Sequence, residues 1–277
     1  MTDRIALVTG ASSGIGDQTA RALQAAGFTV YGAARRVERM QPLAEIGIRT
    51  MAMDVTDEAS LRSGVDRIIQ DAGRIDVLVN NAGYGSYGAI EDVPIAEARA
   101  QFEVNLFGAA ELIRQVLPHM RSQRSGTVIN ISSMGGRITT PLGGWYHATK
   151  FALEALSDCL RMEVAPFGIR VVIIEPGSIE TEWGGIAADK LLAASGSGPY
   201  QAQARAMAGS LRADAGDRRK SQPSVVADAV VAAATARRPR TRYPVGANAR
   251  LAIGLRAVLP DRAYDAAISR LTTGRGR

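Results

Sequence analysis

The sequence predicts an α/β fold, in which a doubly wound, mostly parallel sheet of about seven strands carries helices on both faces. Short apolar runs rich in β-branched residues alternate with longer amphipathic stretches, as strands and helices do in such folds. The runs are continuously apolar, which is typical of strands buried on both faces. The chain has 277 residues, 46% of them apolar, and this length favours a single large domain over residues 1–277.

The order of elements can be read along the chain. Buried strands are predicted at 5–8, 28–31, 48–53, 76–79, 127–131 and 170–174. Helices are predicted over 16–26, 58–71, 94–121 and 146–165. After Gly177 the alternation stops, and residues 180–222, rich in Gly, Ala and Ser, favour a loop or small helical lid over the substrate. A helix from Ser224, its expected N-cap, to Ala236 and an edge strand at 242–246 complete the domain.

Positive charge is concentrated towards the C-terminus. The formal net charge is +6, and residues 201–277 hold 15 basic and 5 acidic residues. Few aromatic residues lie among these arginines, which argues against nucleic-acid binding and favours a solvated surface. Residues 247–277 are therefore interpreted as a basic C-terminal extension. An alternative is peripheral membrane attachment through the apolar, arginine-flanked run 250–259.

Several classes of protein are disfavoured by composition. Cys159 is the single cysteine, so no internal disulfide can form, and with two histidines a Cys/His zinc cluster is excluded. Cys159 is expected to be buried, and no metal site is expected. No apolar run approaches the roughly 18 residues of a membrane span, and the first apolar run is too short for a signal peptide. A cytoplasmic protein is the expectation.

A glycine-rich loop, Thr9-Gly10-Ala11-Ser12-Ser13-Gly14-Ile15-Gly16, connects the first strand to the first helix. Gly10 permits a tight turn, Gly14 permits close approach of a pyrophosphate, and Gly16 permits close helix packing. The free N–H groups and positive dipole end of the helix favour phosphate. The loop predicts a Rossmann-type dinucleotide site, whose further contacts are Ser12, Ser13 and Ile15.

This spacing resembles the Thr-Gly-x-x-x-Gly-x-Gly motif of the short-chain dehydrogenase/reductase family. Further matches follow in order: Asn80-Asn81-Ala82-Gly83, Asn105, Ser133, Tyr146-x-x-x-Lys150 and Pro176-Gly177. The resemblance covers residues 4 to about 182, and the runs Asn-Ala-Gly-Tyr-Gly and Arg-Tyr-Pro-Val-Gly look like its hydroxysteroid-dehydrogenase-like subgroup. It implies reversible hydride transfer between a nicotinamide cofactor and a carbonyl or alcohol substrate.

Four residues are implied to be catalytic. The four-residue spacing places Tyr146 and Lys150 on one helix face, where the ammonium is expected to lower the pKa of the phenol towards working pH. By resemblance, Tyr146 exchanges the proton, Ser133 steadies the substrate oxygen, Lys150 also holds the nicotinamide ribose, and Asn105 anchors a water. Ser132 is the neighbouring candidate for the serine role.

The end of the second strand predicts the cofactor. It reads Ala33-Ala34-Arg35-Arg36 with no acidic residue, so Arg35, with Arg36 close behind, is expected to pair with a 2′-phosphate. NADP(H) is therefore expected over NAD. The resemblance implies further cofactor contacts at Asp54, Val55, Asn81, Ala82, Gly83, Pro176, Gly177 and Thr181.

Substrate contacts are expected after Gly83, Ser133 and Gly177. The candidates Met134, Trp145 and Trp183, together with Tyr84 and Leu142, predict an apolar pocket for a lipophilic ketone or alcohol such as a steroid or retinoid. A non-catalytic nucleotide-sensing protein is the rival interpretation. A homodimer or homotetramer through the two long helices is expected, and His147 is expected to pack rather than to catalyse.

Overall fold

The computed structural model describes residues 4–212 and 220–273 of the chain. Its centre is a seven-stranded sheet in the order β3-β2-β1-β4-β5-β6-β7, and every neighbouring pair is parallel. The strands are β1 (Arg4–Thr9), β2 (Phe28–Ala34), β3 (Arg49–Ala52), β4 (Val77–Asn80), β5 (Gly126–Ile131), β6 (Ile169–Pro176) and β7 (Arg242–Val245). The predicted parallel sheet is confirmed, including the edge strand that contains Pro244.

Helices cover both faces of this sheet. They are α1 (Gly14–Ala25), α2 (Gln41–Ala44), α3 (Glu58–Ala72), α4 (Ile95–Phe102), α5 (Gly108–Gln123), α6 (Gly144–Val164), α7 (Glu182–Ser195), α8 (Gln201–Arg212), α9 (Ser224–Thr235), α10 (Ala249–Val258) and α11 (Asp261–Thr273). One core lies between the sheet and α1 with α9, around Leu23 and Val230. The other lies under α3, α5 and α6, around Leu61, Leu112 and Leu160. Two buried faces explain why the strands are continuously apolar.

The strand order places a crevice above β1 and β4. The sheet grows outward from β1 in both directions, so the loops after these two strands diverge at their carboxyl ends. Ligands of open α/β sheets bind at such a switch point. The glycine-rich loop follows β1, and Asn81 to Gly83 follow β4, so both motifs face this crevice.

Three local expectations need correction. Pro223, not Ser224, is the N-cap of α9, because its carbonyl already accepts hydrogen bonds from the amides of Val226 and Ala227. The helix predicted over 94–121 contains a π-helical turn at Glu103–Phe107 between α4 and α5. Cys159 is exposed, because it lies on the outward face of α6 with Met162.

Within 180–222 the structure describes two α-helices, α7 and α8, and residues 213–219 lie outside the described part of the chain. Helices α7 and α8 pack against each other around Leu191, Ala204 and Met207. Helix α11 packs beside α8, and the Tyr264 hydroxyl donates a hydrogen bond to the Thr139 carbonyl at 2.9 Å. Within the described ranges, no helix is both long enough and apolar enough to cross a membrane.

Candidate active site

The glycine-rich loop has the backbone shape that its sequence predicts. Gly10 and Gly14 have φ values of +67° and +54°, in the region where a side chain is strained. A Cβ on Gly16 would lie 2.2 Å from the Gly10 carbonyl oxygen, so the turn closes only around glycine. Helix α1 begins at Gly14, and its first N–H groups face the crevice without a side-chain cap from Ser13.

A bridge of hydrogen bonds ties this loop to the end of β4. The amides of Asn81 and Ala82 donate to the Thr9 hydroxyl at 3.0 and 3.1 Å. The Asn81 side-chain amide donates to the Thr9 carbonyl at 2.9 Å. Asn81 therefore supports the loop, and Ala82 and Gly83 present their backbone to the crevice.

The adenosine end of the crevice carries positive charge. Arg35 and Arg36 are exposed, line the cavity and follow β2. Asp54 lies opposite: although burial opposes it, hydrogen bonds from Thr56 and the charge of Arg35 together lower the pKa of Asp54. This end of the crevice therefore presents two exposed guanidinium groups near the Asp54 carboxylate.

One cavity of about 920 Å³ collects most of the predicted site residues. Its lining includes Gly10, Ser12, Ser13, Gly14, Ile15, Arg35, Arg36, Asp54, Val55, Asn81, Ala82, Gly83, Ser133, Met134, Tyr146, Lys150, Pro176, Gly177, Thr181 and Trp183. Gly14 lies close to Thr181 at the edge of this cavity, because a Cβ on Gly14 would stand 3.1 Å from the Thr181 methyl group. Gly16 and Asn105 support the lining from behind.

Trp145 and Leu142 are not among the residues that line the cavity. Trp145 precedes Tyr146 by one residue, so its side chain leaves α6 about 100° round the helix. Leu142 packs beneath Tyr146 and Tyr87 instead. The expectation that Trp145 contacts substrate is therefore not supported by its position.

Tyr146 lies at the centre of the cavity wall. Its side chain is buried, and burial raises the pKa of Tyr146 to about 12, while a hydrogen bond with Ser133 opposes the rise. The Ser133 hydroxyl accepts a hydrogen bond from the Gly135 amide at 3.0 Å, which fixes its orientation. Ser132, by contrast, is buried with its hydroxyl close to Glu154. Ser133 is therefore the serine that faces Tyr146.

The expected effect of Lys150 on Tyr146 is not seen. The Lys150 ammonium donates to the Ile131 carbonyl at 2.9 Å, and Tyr146 gains no lowering of its pKa from it. Burial lowers the pKa of Lys150 to about 8, against the charge of Glu154. The one-turn spacing is present, but burial is the largest influence on the pKa of Tyr146, and it disfavours the phenolate.

Asn105 occupies the π-helical turn, and its side chain is fully used. Its Oδ1 accepts from the Tyr84 amide at 3.0 Å, and its Nδ2 donates to the Tyr84 carbonyl at 2.9 Å and the Thr149 hydroxyl at 3.1 Å. A Cβ on Gly83 would lie 3.1 Å from Asn105 Oδ1 and 3.8 Å from Lys150 Nζ. Asn105 thus holds the loop after β4 beside Lys150.

His147 fixes the loop that carries Ser133. Its Nε2 accepts a hydrogen bond from the Thr140 amide at 3.1 Å, so its Nδ1 donates to the Gly135 carbonyl at 2.8 Å. Burial lowers the pKa of His147, which keeps the ring neutral. Both ring nitrogens are occupied, as a packing role requires.

An aromatic wall stands beside Tyr146. The Trp183 ring lies 5.1 Å from Tyr146 and 6.0 Å from Tyr87, and the Tyr87 and Tyr146 rings are 5.5 Å apart. The sequence predicts Trp183 as a residue of the substrate pocket, but it does not predict Tyr87 there. The repeated Gly-Tyr-Gly-Ser-Tyr pattern at 83–87 was the available signal, because it places a second tyrosine close after the same strand.

Helix α7 is fixed over the cavity at both ends. At its start, Glu182 pairs with Arg39 at 2.6 Å. Further along, Lys190 pairs with Glu97 at 2.7 Å, and at its end the Ser195 hydroxyl donates to Asp92 at 2.6 Å. These contacts reach across residues far apart in the chain, so sequence patterning gave no sign of them.

Lysine is rare in this chain, yet it is concentrated at the site. Of 33 basic residues only Lys150, Lys190 and Lys220 are lysines, and all three line the cavity. Lys190 also lies over the Tyr84 ring at 5.1 Å. The rarity of lysine in the sequence supports a specific role for Lys150. The same rarity also singles out Lys190 and Lys220, which line the same cavity.

A parallel sheet with a dinucleotide crevice, beside a Tyr, Lys and Ser cluster, defines a nicotinamide-type oxidoreductase. The family model described as short chain dehydrogenase matches residues 4–190. The chain belongs to this short-chain dehydrogenase/reductase family and is an oxidoreductase.

Individual proteins are also similar to it. The chain is 44% identical to a 3-ketodihydrosphingosine reductase of Bacteroides thetaiotaomicron over 65% of this chain and 66% of that protein. It is 39% identical to an NADPH-dependent 3-dehydrocapnine reductase of Ornithobacterium rhinotracheale, over 72% and 71%. A short-chain dehydrogenase structure from Streptomyces avermitilis covers 100% of both chains, with 35% identity and a TM-score of 0.81.

Proposed function

We propose that the protein is an NADP(H)-dependent oxidoreductase that interconverts a lipophilic ketone or aldehyde and its alcohol, with Tyr146 as acid and base. The observation that carries the proposal is the Tyr146 hydroxyl, hydrogen-bonded with Ser133 inside a cavity that extends to the glycine loop. A non-catalytic nucleotide sensor would have no need of this pair.

Tyr146, Ser133 and Lys150 have different roles in the proposed reaction. When bound, the nicotinamide cofactor supplies or accepts hydride at the substrate carbon. In the reducing direction, Tyr146 gives its hydroxyl proton to the substrate oxygen, and Ser133 holds that oxygen by a hydrogen bond. The raised pKa of Tyr146 keeps this proton in place at neutral pH until the oxygen gains charge. Lys150 holds the ribose and supports reprotonation of Tyr146.

The preference for NADP(H) follows from Arg35 and Arg36. These guanidinium groups line the cavity at the end of β2, and residues 33–36 lack the acidic side chain that would bind the ribose hydroxyls of NAD at this position. A charge-assisted pair with a 2′-phosphate is the strongest contact that this end of the cavity can offer. The relative from Ornithobacterium rhinotracheale, NADPH-dependent by name, supports the same preference.

The substrate class follows from the aromatic wall. Trp183, Tyr87 and Met134 give the substrate side a largely apolar surface. The names of the two relatives each describe a 3-oxo compound as substrate, so we propose a long-chain 3-oxo lipid as the leading candidate. A hydroxysteroid-type substrate, as the sequence resemblance implied, is the second.

A panel of ketones tests this assignment. Long-chain 3-oxo lipids, a steroid ketone, retinal and a short water-soluble ketone are incubated with NADPH, and its absorbance is followed. We expect kcat/KM to rise by about tenfold for every two buried CH₂ groups, since each contributes about 0.8 kcal/mol. A short polar ketone as the best substrate would contradict the proposal.

A Trp183→Ala variant provides the matched test of the wall. We expect KM for a lipophilic ketone to rise roughly tenfold or more, since about 2 kcal/mol of aromatic contact is lost, with NADPH affinity unchanged. Trp145→Ala is the control, because Trp145 is the chain's other tryptophan and does not line the cavity. Equal effects of both variants would argue against substrate contact at Trp183.

Helix α10 supports a second proposal, peripheral attachment to an anionic membrane. Leu251, Leu255 and Val258 are 65%, 42% and 75% exposed at four- and three-residue spacing, so they share one face of the helix. Arg250, on the same helix, is also exposed, and its positive charge matches a negatively charged lipid surface.

Vesicle co-sedimentation tests this attachment. We expect wild-type protein to co-sediment with vesicles containing anionic lipid and to be released by salt, and the triple change of Leu251, Leu255 and Val258 to serine to abolish binding. Met162→Ser is the control, as Met162 is 67% exposed on α6. Absence of wild-type binding to these vesicles would contradict the proposed membrane attachment.

Cytoplasmic location and a homodimer or homotetramer stay predictions from the sequence.

A further inference from the structure

Below Tyr146, helix α6 carries a line of ionisable side chains. Tyr146, Lys150, Glu154 and Asp158 follow each other at four-residue spacing, so they share one face of the helix. The first three are buried, at 7%, 7% and 5% exposure. A buried carboxylate is normally paired, and although burial raises the pKa of Glu154, contacts with Ser132 and the charges of Arg242 and Arg137 oppose the rise. The function proposed above does not use Glu154.

Charged groups from three other parts of the fold face Glu154. Arg242 of β7 donates to Glu154 Oε2 at 3.1 Å and lies 3.5 Å from Glu175 of β6. Arg137, in the loop after β5, pairs with Glu175 at 3.2 Å. Arg242 also pairs with Asp158 at 2.6 Å. Two carboxylates therefore share these guanidinium groups at the buried end of the network.

The Glu154 side chain packs against the turn that follows β5. A Cβ on Gly136 would lie 2.9 Å from Glu154 Cγ, 2.7 Å from the Ser132 hydroxyl and 3.1 Å from the Lys150 carbonyl. Only glycine at this position lets the Glu154 side chain approach. The Lys150 ammonium donates to Ile131, the last residue of β5.

We propose that Glu154 is a positioning residue, whose buried carboxylate is the counter-charge that keeps Lys150 an ammonium beneath Tyr146. Among the charged groups around Lys150, Glu154 is the one whose field opposes the effect of burial on the pKa of Lys150. Tyr146 is neutral, and Arg137 and Arg242 pair with Glu175 and Glu154 respectively. The kinetic consequence rests on the proposed function, whereas the charge state of Lys150 does not.

The sign of the effect is fixed. Loss of the Glu154 charge disfavours the ammonium, so the pKa of Lys150 falls from its value of about 8. We expect Glu154→Gln to lower it by about one unit, as loss of a nearby opposite charge does. The alkaline limb of kcat for ketone reduction then moves to lower pH by the same amount.

The low lysine content makes the titration directly measurable. Full-length protein labelled with ¹³C at the lysine ε-carbon gives signals from only three lysines, and Lys190→Arg and Lys220→Arg identify that of Lys150. The pKa of Lys150 is read from its shift with pH in wild type, Glu154→Gln and Asp158→Asn. Asp158→Asn is the matched control, because it also removes a partner of Arg242, one turn further from Lys150.

We expect a lower pKa of Lys150 in Glu154→Gln and no change beyond a few tenths of a unit in Asp158→Asn. If the amide is not tolerated, Glu154→Met removes the charge with an apolar side chain of similar length, and the same lowering is expected. An unchanged pKa in both Glu154 variants would overturn the proposal. Equal shifts in Asp158→Asn would also overturn it, by showing a general effect of disturbing Arg242. The titration needs no substrate, so its failure is distinguishable from failure of the proposed reaction.

Discussion

Replacing Tyr146 with phenylalanine is expected to lower turnover of the best ketone by about a thousandfold, the size of a general acid contribution. Phenylalanine keeps the ring contacts at 5.5 Å with Tyr87 and 5.1 Å with Trp183, so the wall around the cavity remains. What is lost is the hydroxyl that we propose as the proton donor. Turnover is measured by NADPH absorbance, and NADPH binding, measured by fluorescence titration, should stay within about twofold, since a positioned proton donor is not a cofactor anchor.

Tyr87→Phe is the matched control for this result. Tyr87 is fully buried beside Tyr146, and burial raises the pKa of its hydroxyl well above the ordinary value. Its ring touches the same aromatic neighbours, so a general effect of deleting a buried hydroxyl would be equal in both variants. Full turnover in Tyr146→Phe would remove Tyr146 from the mechanism. Loss only in Tyr87→Phe would transfer the proton-donor role to Tyr87.

Replacing Arg35 with aspartate is expected to shift the ratio of kcat/KM for NADPH over NADH by roughly 100-fold towards NADH. The substitution removes the expected partner of the 2′-phosphate and supplies a carboxylate that accepts hydrogen bonds from ribose hydroxyls. Both contacts change in the same direction, which is why the effect is large. Steady-state kinetics with the two cofactors measure it.

Arg36→Asp separates the two neighbouring arginines. Both side chains are exposed and line the cavity, but Arg35 is the one whose charge reaches Asp54 and Tyr84 inside it, whereas that of Arg36 reaches Glu182. A smaller shift is therefore expected for Arg36→Asp. An unchanged ratio in Arg35→Asp would remove Arg35 from phosphate recognition, and a larger shift in Arg36→Asp would assign the phosphate to Arg36.

The charge states found at the centre of the site differ from the simple expectation. Spacing on α6 predicted that Lys150 would make Tyr146 more acidic, but burial raises the pKa of Tyr146 to about 12 and lowers that of Lys150 to about 8. Both shifts favour the neutral form, because each group leaves water on folding. A protonated Tyr146 at neutral pH suits proton donation to a carbonyl oxygen.

Much of the fold could be predicted because its signals are local. The β-branched runs of β1, β4 and β5 identify buried strands wherever they lie in the sheet. Helix α7 is harder to predict, because its Ala- and Gly-rich sequence has weak helical periodicity and the helix packs against α8. The stability of such a helix depends more on its tertiary packing than on the helix propensity of its residues.

The sequence by itself determined which chemical groups meet the crevice and how the backbone presents them. Positive φ at Gly10 and Gly14 and the one-turn spacing of Tyr146 and Lys150 are properties of a few consecutive residues. Only the tertiary structure decided what those groups touch: Ile131 for Lys150, Tyr87 and Trp183 for Tyr146, and Arg242 for Glu154. Burial and proximity between distant elements arise when helices and strands pack together, and these set the pKa values on which the chemistry depends.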